Sequence, residues 1–389
     1  MLSELDKTSY EQAALHAAIL AARSVEGRTS PRPPVGAVVV QAGRIVGRGA
    51  TAPPFGPHAE ALALAEAGPA ARGADLYVTL EPCCIAIHTP PCTDAILAAG
   101  VRRVIVGTLD PNPAVHTSGV QQLRQAGLEV IVLHDEECTE LIRPFATFIT
   151  RGRAHVTAKW AMTLDGKLAT RTGSSAWVSG AESRQWVHDL RDRVDAILVG
   201  AGTARLDNPR LTVRLEPGQH AFERTARLQP PRRVVLATHG ALPDTLALLH
   251  TTNEAQTWIV TGETCPEKQR QRLQAYGAVV LSAPLDEQGR VSIDETLRLL
   301  AEHGMMHVLL EGGAALLGSA FDRRCIDSVA VFIAPKLIGG SDAPSPLGGN
   351  GRELMTCACR LHRRRVSSLG DDLLIEGDVM YEEENDANI

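Results

Sequence analysis

Apolar positions along the first part of the chain change period repeatedly, and each change marks an element. Ala14, Ala17, Ala18 and Ala21 recur at helical spacing, which predicts a helix over Tyr10–Ser24. Two strand-like runs, Val35–Val40 and Arg44–Gly49, flank Ala42-Gly43 and read as a hairpin. Beyond it, His58–Ala67, Thr93–Ala99 and Val120–Ala126 read as helices, and Ala74–Thr79, Arg103–Gly107 and Val130–Leu133 as strands. Pro144–Arg153 reads as a junction. A second alternation follows, with strands at His155–Trp160, Ala196–Gly200, Arg233–Ala237, Thr257–Thr261, Val279–Leu281, His307–Glu311 and Ser328–Pro335. Strands alternating with helices bury both faces of a sheet, so two successive α/β domains are expected, the first with three layers. Leu215–Pro231, rich in Pro, Gln and charge, reads as a surface excursion, and the acidic stretch Glu382–Ile389 as a disordered tail.

Composition narrows the class. The 389 residues suffice for two domains, and 44% hydrophobic with 22% charged residues is a globular balance. The net charge is −6, and no basic cluster is interleaved with aromatics, so a nucleic-acid partner is not expected. Arg363, Arg364 and Arg365 form a short run that reads as a solvated face. Met1–Tyr10 is too polar for a secretory signal, and no stretch reaches the roughly 18 apolar residues of a membrane span. Eight cysteines in so long a chain are not needed as staples, so reduced thiols and a cytoplasmic location are expected.

Two of those cysteines, with a histidine and a glutamate, carry chemistry. His58-Ala59-Glu60 opens a predicted helix, and Glu81-Pro82-Cys83, followed by Cys92, comes after a predicted strand. One imidazole and two thiolates supply three zinc ligands and leave a fourth position for water, the arrangement of a catalytic rather than a structural site. Zinc lowers the pKa of that water to about 7. Glu60 is placed to carry protons from water to a departing amine. The order His-x-Glu then Pro-Cys…Cys is that of zinc nucleobase deaminases, here with residues 84–91 between the two cysteines. Taken singly, a His-x-Glu is often just a helix start and a cysteine a small core residue; the ordered combination selects the metal. Cys84 reads as a spectator, and Cys357 and Cys359 as ordinary thiols.

In the second half, Glu311-Gly312-Gly313 lies between an apolar strand and the helix Ala314–Phe321. Such a turn can bring backbone N–H groups and a helix N-terminus onto an anion, or can use glycine only for its backbone freedom. Gly200-Ala201-Gly202 lacks the third glycine of a dinucleotide fingerprint.

The wider pattern resembles the bifunctional riboflavin-biosynthesis deaminase/reductase family. The resemblance is carried by Pro33–Val39, His58–Glu60, Thr79–Cys83 with Thr89-Pro90-Pro91-Cys92, and Asp110-Pro111-Asn112-Pro113. It continues through Lys159–Lys167, Ser175-Ala176-Trp177, Asp195–Gly200, Asp207-Asn208-Pro209, Glu311–Gly313 and Ala334-Pro335-Lys336. It implies a cytidine-deaminase-like three-layer α/β/α domain over residues 1–152, then a dihydrofolate-reductase-like α/β domain over 153–380, ahead of the tail at 381–389. The implied reactions are hydrolysis of the pyrimidine amine of diaminohydroxyphosphoribosylaminopyrimidine, then NADPH-dependent reduction of the phosphoribosyl group to a ribityl chain. By resemblance His58, Cys83 and Cys92 hold Zn²⁺ and Glu60 carries the proton. Cofactor contacts fall at Ala161, Trp177, Thr203, Asp207 and Thr238, and along Gly313, Ala314, Ala315, Leu316, Leu317, Gly318 and Ser319. Substrate contacts fall at Ser175, Arg191, Leu211, Arg214 and Glu311, with the two arginines suited to phosphate; an arginine on spacing alone could equally form a surface ion pair. The expected partners are small phosphoribosylaminopyrimidines and further copies of the chain in a homo-oligomer, not membranes.

The chain departs from the family pattern at defined places. Arg32 stands for the usual Asn, Thr51 for His, and Cys84-Ile85-Ala86-Ile87-His88 for a more polar loop. Thr117-Ser118-Gly119 replaces Gly-Lys/Arg-Gly, and Ala237 stands for Asp. In the family, the positions other than 237 belong to the deaminase substrate pocket. Three readings stay open: the family's two reactions; a retained reductase beside a deaminase half that takes another amine or turns over weakly; and a zinc-stabilised scaffold without catalysis.

Overall fold

The computed structural model describes residues 4–86, 90–215, 218 and 221–381. Ile87, His88, Thr89 and the expected tail after Tyr381 lie outside the described residues, as does part of the Leu215–Pro231 excursion. The chain divides into two compact units, Met1–Gly152 with His220–Leu228, and Arg153–Gln219 with Gln229–Ile389.

The first unit runs α1 (Glu4–Arg23), β1 (Gly36–Gln41), β2 (Arg44–Ala50), α2 (Ala59–Ala67), β3 (Asp75–Leu80), α3 (Cys92–Ala99), β4 (Arg103–Thr108), α4 (Ser118–Gln125), β5 (Glu129–Val132), α5 (Glu136–Leu141) and α6 (Arg143–Arg151). Its sheet order is β2-β1-β3-β4-β5, antiparallel around β1 and parallel from β3 to β5. Glycine decides where the helices lie. A Cβ on Gly36 would fall 1.9 Å from Ala18 O of α1, and one on Gly49 would fall 2.0 Å from Ala59 O of α2. Gly49 pairs with Ala37, the neighbour of Gly36, so the two glycines face opposite sides of the sheet. Helices therefore cover both faces, and the unit has three layers. The expected junction at Pro144–Arg153 is instead largely helical: α6 accepts Pro144 in its first turn, where a missing N–H costs nothing, and ends at Gly152 in the left-handed region.

The second unit runs β6 (His155–Thr163), α7 (Ala181–Arg193), β7 (Ala196–Gly200), α8 (Ala201–Asp207), β8 (Arg232–Leu236), α9 (Ala247–His250), β9 (Thr257–Gly262), α10 (Glu267–Ala275), β10 (Val279–Ala283), α11 (Ile293–Glu302), β11 (His307–Leu310), α12 (Ala314–Asp322), β12 (Ser328–Ala334), β13 (Arg360–Leu369) and β14 (Asp372–Met380). Nine strands form one sheet in the order β10-β9-β8-β7-β11-β6-β12-β14-β13. All are parallel except the closing pair β14 and β13. Residues of β7 alternate between two cores, Ala196 and Leu198 on one face, Ile197 and Val199 on the other, as strands buried on both sides must. The chain leaves β6 for β7 through β10 and returns with β11 between β6 and β7. That reversal opens a crevice at the C-terminal strand ends, where open α/β sheets bind ligands. Strands β13 and β14 were not expected from the sequence, because β13 is exposed and arginine-rich and shows no apolar alternation.

Candidate functional site

Two helix starts and one loop build the first site. His58 is the N-cap of α2, Cys92 is the first residue of α3, and Cys83 lies just beyond β3. Nδ1 of His58 lies 3.2 Å from Cys92 Sγ and 3.4 Å from Cys83 Sγ, and Cys92 N donates to Cys83 Sγ at 3.4 Å. Hydrogen bonding from Cys92 and then from His58 draws the Cys83 thiol down to about 4, while Cys92, left holding the shared proton, is raised. Helix N-termini favour thiolate at such positions. All three ligand atoms lie within 4.8 Å of one another, and no other such group of three occurs among the described residues. Ligands bound tetrahedrally to zinc at the usual lengths would sit roughly 3.5–3.8 Å apart, so the donor set and its spacing fit zinc with one position free for water. Glu60, on the first turn of α2, is 4% exposed, and burial pushes its carboxyl up to about 7.

What aligns these groups is a residue that sequence reasoning passed over. The buried Glu81 carboxylate accepts Asp110 N at 3.2 Å and Thr117 N at 3.0 Å on one oxygen, and Val120 N at 3.0 Å on the other. It thereby ties the Asp110–Pro113 turn and the start of α4 to the strand end that presents Cys83. Asp110, beside it, is pushed up to about 6 by burial. The departures have structural partners. Arg32 donates to the carbonyls of Ala52, Pro53 and Gly56, and Thr51 Oγ1 accepts Val35 N at 3.0 Å. Cys84 is not among the converging ligand atoms.

In the second unit the expected cofactor residues Thr203, Thr238 and Gly313 each follow the C-terminal end of a parallel strand. Thr203 Oγ1 accepts Gly313 N at 3.2 Å, joining the turns after β7 and β11. Helix α12 starts at Gly313 with no side-chain cap, and a Cβ on Gly202 would meet nothing within 4 Å, so backbone lies open for a pyrophosphate. Ala161 lies on β6, Asp207 closes α8, and Ala314–Ser319 form α12. Ser175 and Trp177 sit in an exposed stretch before α7, with the Arg184 guanidinium 4.7 Å over the Trp177 ring.

Of the expected substrate residues, Arg191 and Glu311 form an ion pair, and among the described residues no contact joins Ser175 to them. Arg191 clamps Glu311 in two hydrogen bonds of 2.6 and 2.9 Å and donates to Thr212 O at 3.2 Å, beside the buried Leu211. Arg214 reaches His188 at 3.4 Å. Lys159 and His188 were not singled out in the sequence. Lys159 is half-buried, and desolvation lowers its ammonium, although Glu311 opposes the shift. Burial, then Arg191 and Arg214, pulls His188 down to about 4.

A zinc-deaminase centre followed by a parallel sheet with an anion-ready turn defines a two-domain deaminase and reductase. Comparison with known proteins agrees. The family described as "Cytidine and deoxycytidylate deaminase zinc-binding region" matches residues 8–108, and "RibD C-terminal domain" matches 154–375. The riboflavin biosynthesis protein RibD of Aquifex aeolicus is 40% identical over 96% of this chain and 99% of its own length; that of Bacillus amyloliquefaciens is 40% identical over 95% and 99%. The crystal structure of a diaminohydroxyphosphoribosylaminopyrimidine deaminase/5-amino-6-(5-phosphoribosylamino)uracil reductase from Thermotoga maritima superposes with a TM-score of 0.79 at 34% identity, over 96% of this chain and 99% of that one. The chain belongs to the RibD family, the bifunctional zinc deaminases and NADPH-dependent reductases of riboflavin biosynthesis. Its N-terminal fold is that of the deaminases and its C-terminal fold is dihydrofolate-reductase-like.

Proposed function

We propose that residues 1–152 hydrolyse the pyrimidine amine of diaminohydroxyphosphoribosylaminopyrimidine and that residues 153–380 reduce the resulting 5-amino-6-(5-phosphoribosylamino)uracil. The observation that carries the first half is the convergence of His58, Cys83 and Cys92 beside a buried Glu60. His58, Cys83 and Cys92 would hold zinc, which supplies an electrophile that acidifies a water to a pKa of about 7. Glu60 takes a proton from the attacking water and returns it to the leaving nitrogen, so that ammonia departs and a carbonyl replaces the amine. A carboxyl near 7 exchanges protons in both directions at neutral pH.

In the second half NADPH would supply the hydride. Thr203, Gly313 and the start of α12 hold its phosphates, and Ala161, Trp177, Asp207 and Thr238 line its path. Arg214, with Ser175 and Leu211, receives the substrate, and Arg191 holds Glu311 toward the sugar hydroxyls.

A second reading, in which the deaminase half takes a different amine, draws support from Arg32, whose terminal nitrogens bond backbone, and from Thr51, whose hydroxyl does the same. The assay is ammonia release by the full chain on the phosphoribosyl precursor, followed by NADPH oxidation. Glu60→Gln is expected to slow ammonia release about 10²–10⁴-fold with zinc retained. An inert precursor beside a turned-over unphosphorylated aminopyrimidine would favour the second reading, and a Glu60→Gln enzyme of parental rate would end both.

The setting fits a cytoplasmic enzyme of small molecules: all eight cysteines are free thiols, and among the described residues no helix is long and apolar enough to cross a membrane. A homo-oligomer is also expected, and an exposed apolar face supports it. A cavity of about 490 Å³ under Trp160, Val331 and Leu347 opens beside Leu354 and Met355, which are 63% and 88% exposed. Arg360, Arg363, Arg364 and Arg365 guard the β13 edge against strand pairing, so the apolar face rather than the edge would meet a second copy. Sedimentation of the full chain as a monomer at micromolar concentration would contradict this.

A further inference from the structure

Arg32 precedes β1 at a position where the family usually carries Asn, and its guanidinium is committed to one short stretch of backbone. One terminal nitrogen donates to Gly56 O at 2.8 Å, and the other donates to both Ala52 O and Pro53 O. Arg32 is itself fixed by a turn in which its N–H donates to Thr29 O at 2.9 Å and Thr29 Oγ1 donates to Arg32 O at 2.8 Å. The stretch it grips is the connection from β2 to α2. That connection closes on itself through Ala52 N to Pro57 O at 3.1 Å and Gly56 N to Pro53 O at 3.0 Å. Phe55 at its tip is 75% exposed with φ of 71°. The residue that follows Pro57 is His58, and Glu60 comes two residues later.

A planar fork with several donors can span three carbonyls at once, which a short amide cannot. An arginine meant for a substrate phosphate would turn its terminal nitrogens to the pocket, and here each of them is bonded to backbone of this connection, while Nε is buried without a partner. We propose that Arg32 is a positioning residue of the metal centre: it pins the β2–α2 connection so that His58 Nδ1 faces Cys83 and Cys92 before the metal arrives, and it does not contact substrate. The proposal rests on the zinc-deaminase reading and deepens it. Groups that orient a metal ligand typically change metal affinity 10- to 100-fold when removed, because the ordering of the ligand must then come from the binding itself.

The test uses the full chain. Zinc affinity is measured by competition with a chromophoric chelator, ligand geometry by the visible absorption of the cobalt(II)-substituted protein, and ammonia release at saturating zinc. Arg32→Asn is expected to weaken zinc binding about 10- to 100-fold, to alter the cobalt bands, and to lower kcat with KM held within about twofold. Arg32→Lys, which keeps the charge and loses the fork, should show the same changes to a smaller degree, and it carries the test if Arg32→Asn does not fold in the first unit. Parental zinc affinity and cobalt bands with KM raised about tenfold would put Arg32 on the substrate and overturn the proposal; parental values throughout would overturn it as well. A parent chain that binds no zinc would bring down the reading of the site, and the proposal with it, whereas a zinc-loaded parent beside an unchanged variant brings down the proposal alone.

Discussion

At the metal centre, three ligand atoms are gathered from a stretch running only from His58 to Cys92, and backbone does the gathering: two helix starts, and a buried Glu81 that accepts three N–H groups. The reductase cleft is assembled differently. Lys159, His188, Arg191, Arg214 and Glu311 come from separated parts of the second unit, and at their centre is the Arg191–Glu311 ion pair, with Lys159 drawn to the same carboxylate. A centre set by local turns does not depend on one pair of opposite charges. A cleft set by a buried ion pair has no such independence, because either partner left alone is an uncompensated charge.

The largest effect should therefore come from breaking that pair. Arg191→Ala is expected to destabilise the second unit by about 3–5 kcal/mol and to abolish NADPH oxidation, while ammonia release continues. Urea denaturation followed unit by unit is the measurement. A cost below about 1 kcal/mol, the value of an exposed pair, would show that the cleft is not held by charge. The parent's pH response sharpens the point. Burial raises the Glu311 carboxyl, but the charge and hydrogen bonds of Arg191, with Lys159, outweigh it and leave the group below its ordinary range. The pair's contribution is thus fully present above the unfolded glutamate value of about 4.3 and is lost as pH falls through the depressed native value. In Arg191→Ala this acid-side loss should shrink.

The same contrast explains what could be read in advance. The convergence of His58, Cys83 and Cys92 was legible because a metal site constrains residue type and spacing, and because helix and strand periods placed each group at a start or an end. The parallel strands of the second unit were legible as apolar runs. Its cleft was not, since which strand ends meet depends on β11 inserting between β6 and β7, a matter of topology that local pattern does not carry; resemblance alone supplied Arg191, Arg214 and Glu311. Lys159 and His188 were missed because a lysine on a strand and a histidine on an amphipathic helix look like ordinary members of those elements. Glu81 was missed for the opposite reason: its neighbour Cys83 explained the motif so well that the carboxylate seemed to need no task. The helix α6 was hidden by Pro144, which reads as a breaker unless it falls in a first turn.

A smaller effect separates the two regions from the other side. Thr117 has φ of 62°, in the left-handed region, where a β-branched residue is an outlier. The conformation is forced: Thr117 N and Val120 N must both reach the Glu81 carboxylate, and Gly119 must pass Pro82 O so closely that a Cβ there would fall 2.0 Å away. The family pattern has glycine at 117, the residue that adopts this backbone without cost. Left-handed backbone costs an L-residue about 1–2 kcal/mol, and glycine gives back about 0.5–1 kcal/mol in chain entropy. Thr117→Gly is accordingly expected to stabilise the first unit by about 0.5–1 kcal/mol, read as a higher urea midpoint for that unit with NADPH oxidation unchanged. A lower midpoint would mean that the Thr117 side chain contributes more than its backbone costs, and that the metal centre is not held by backbone geometry alone.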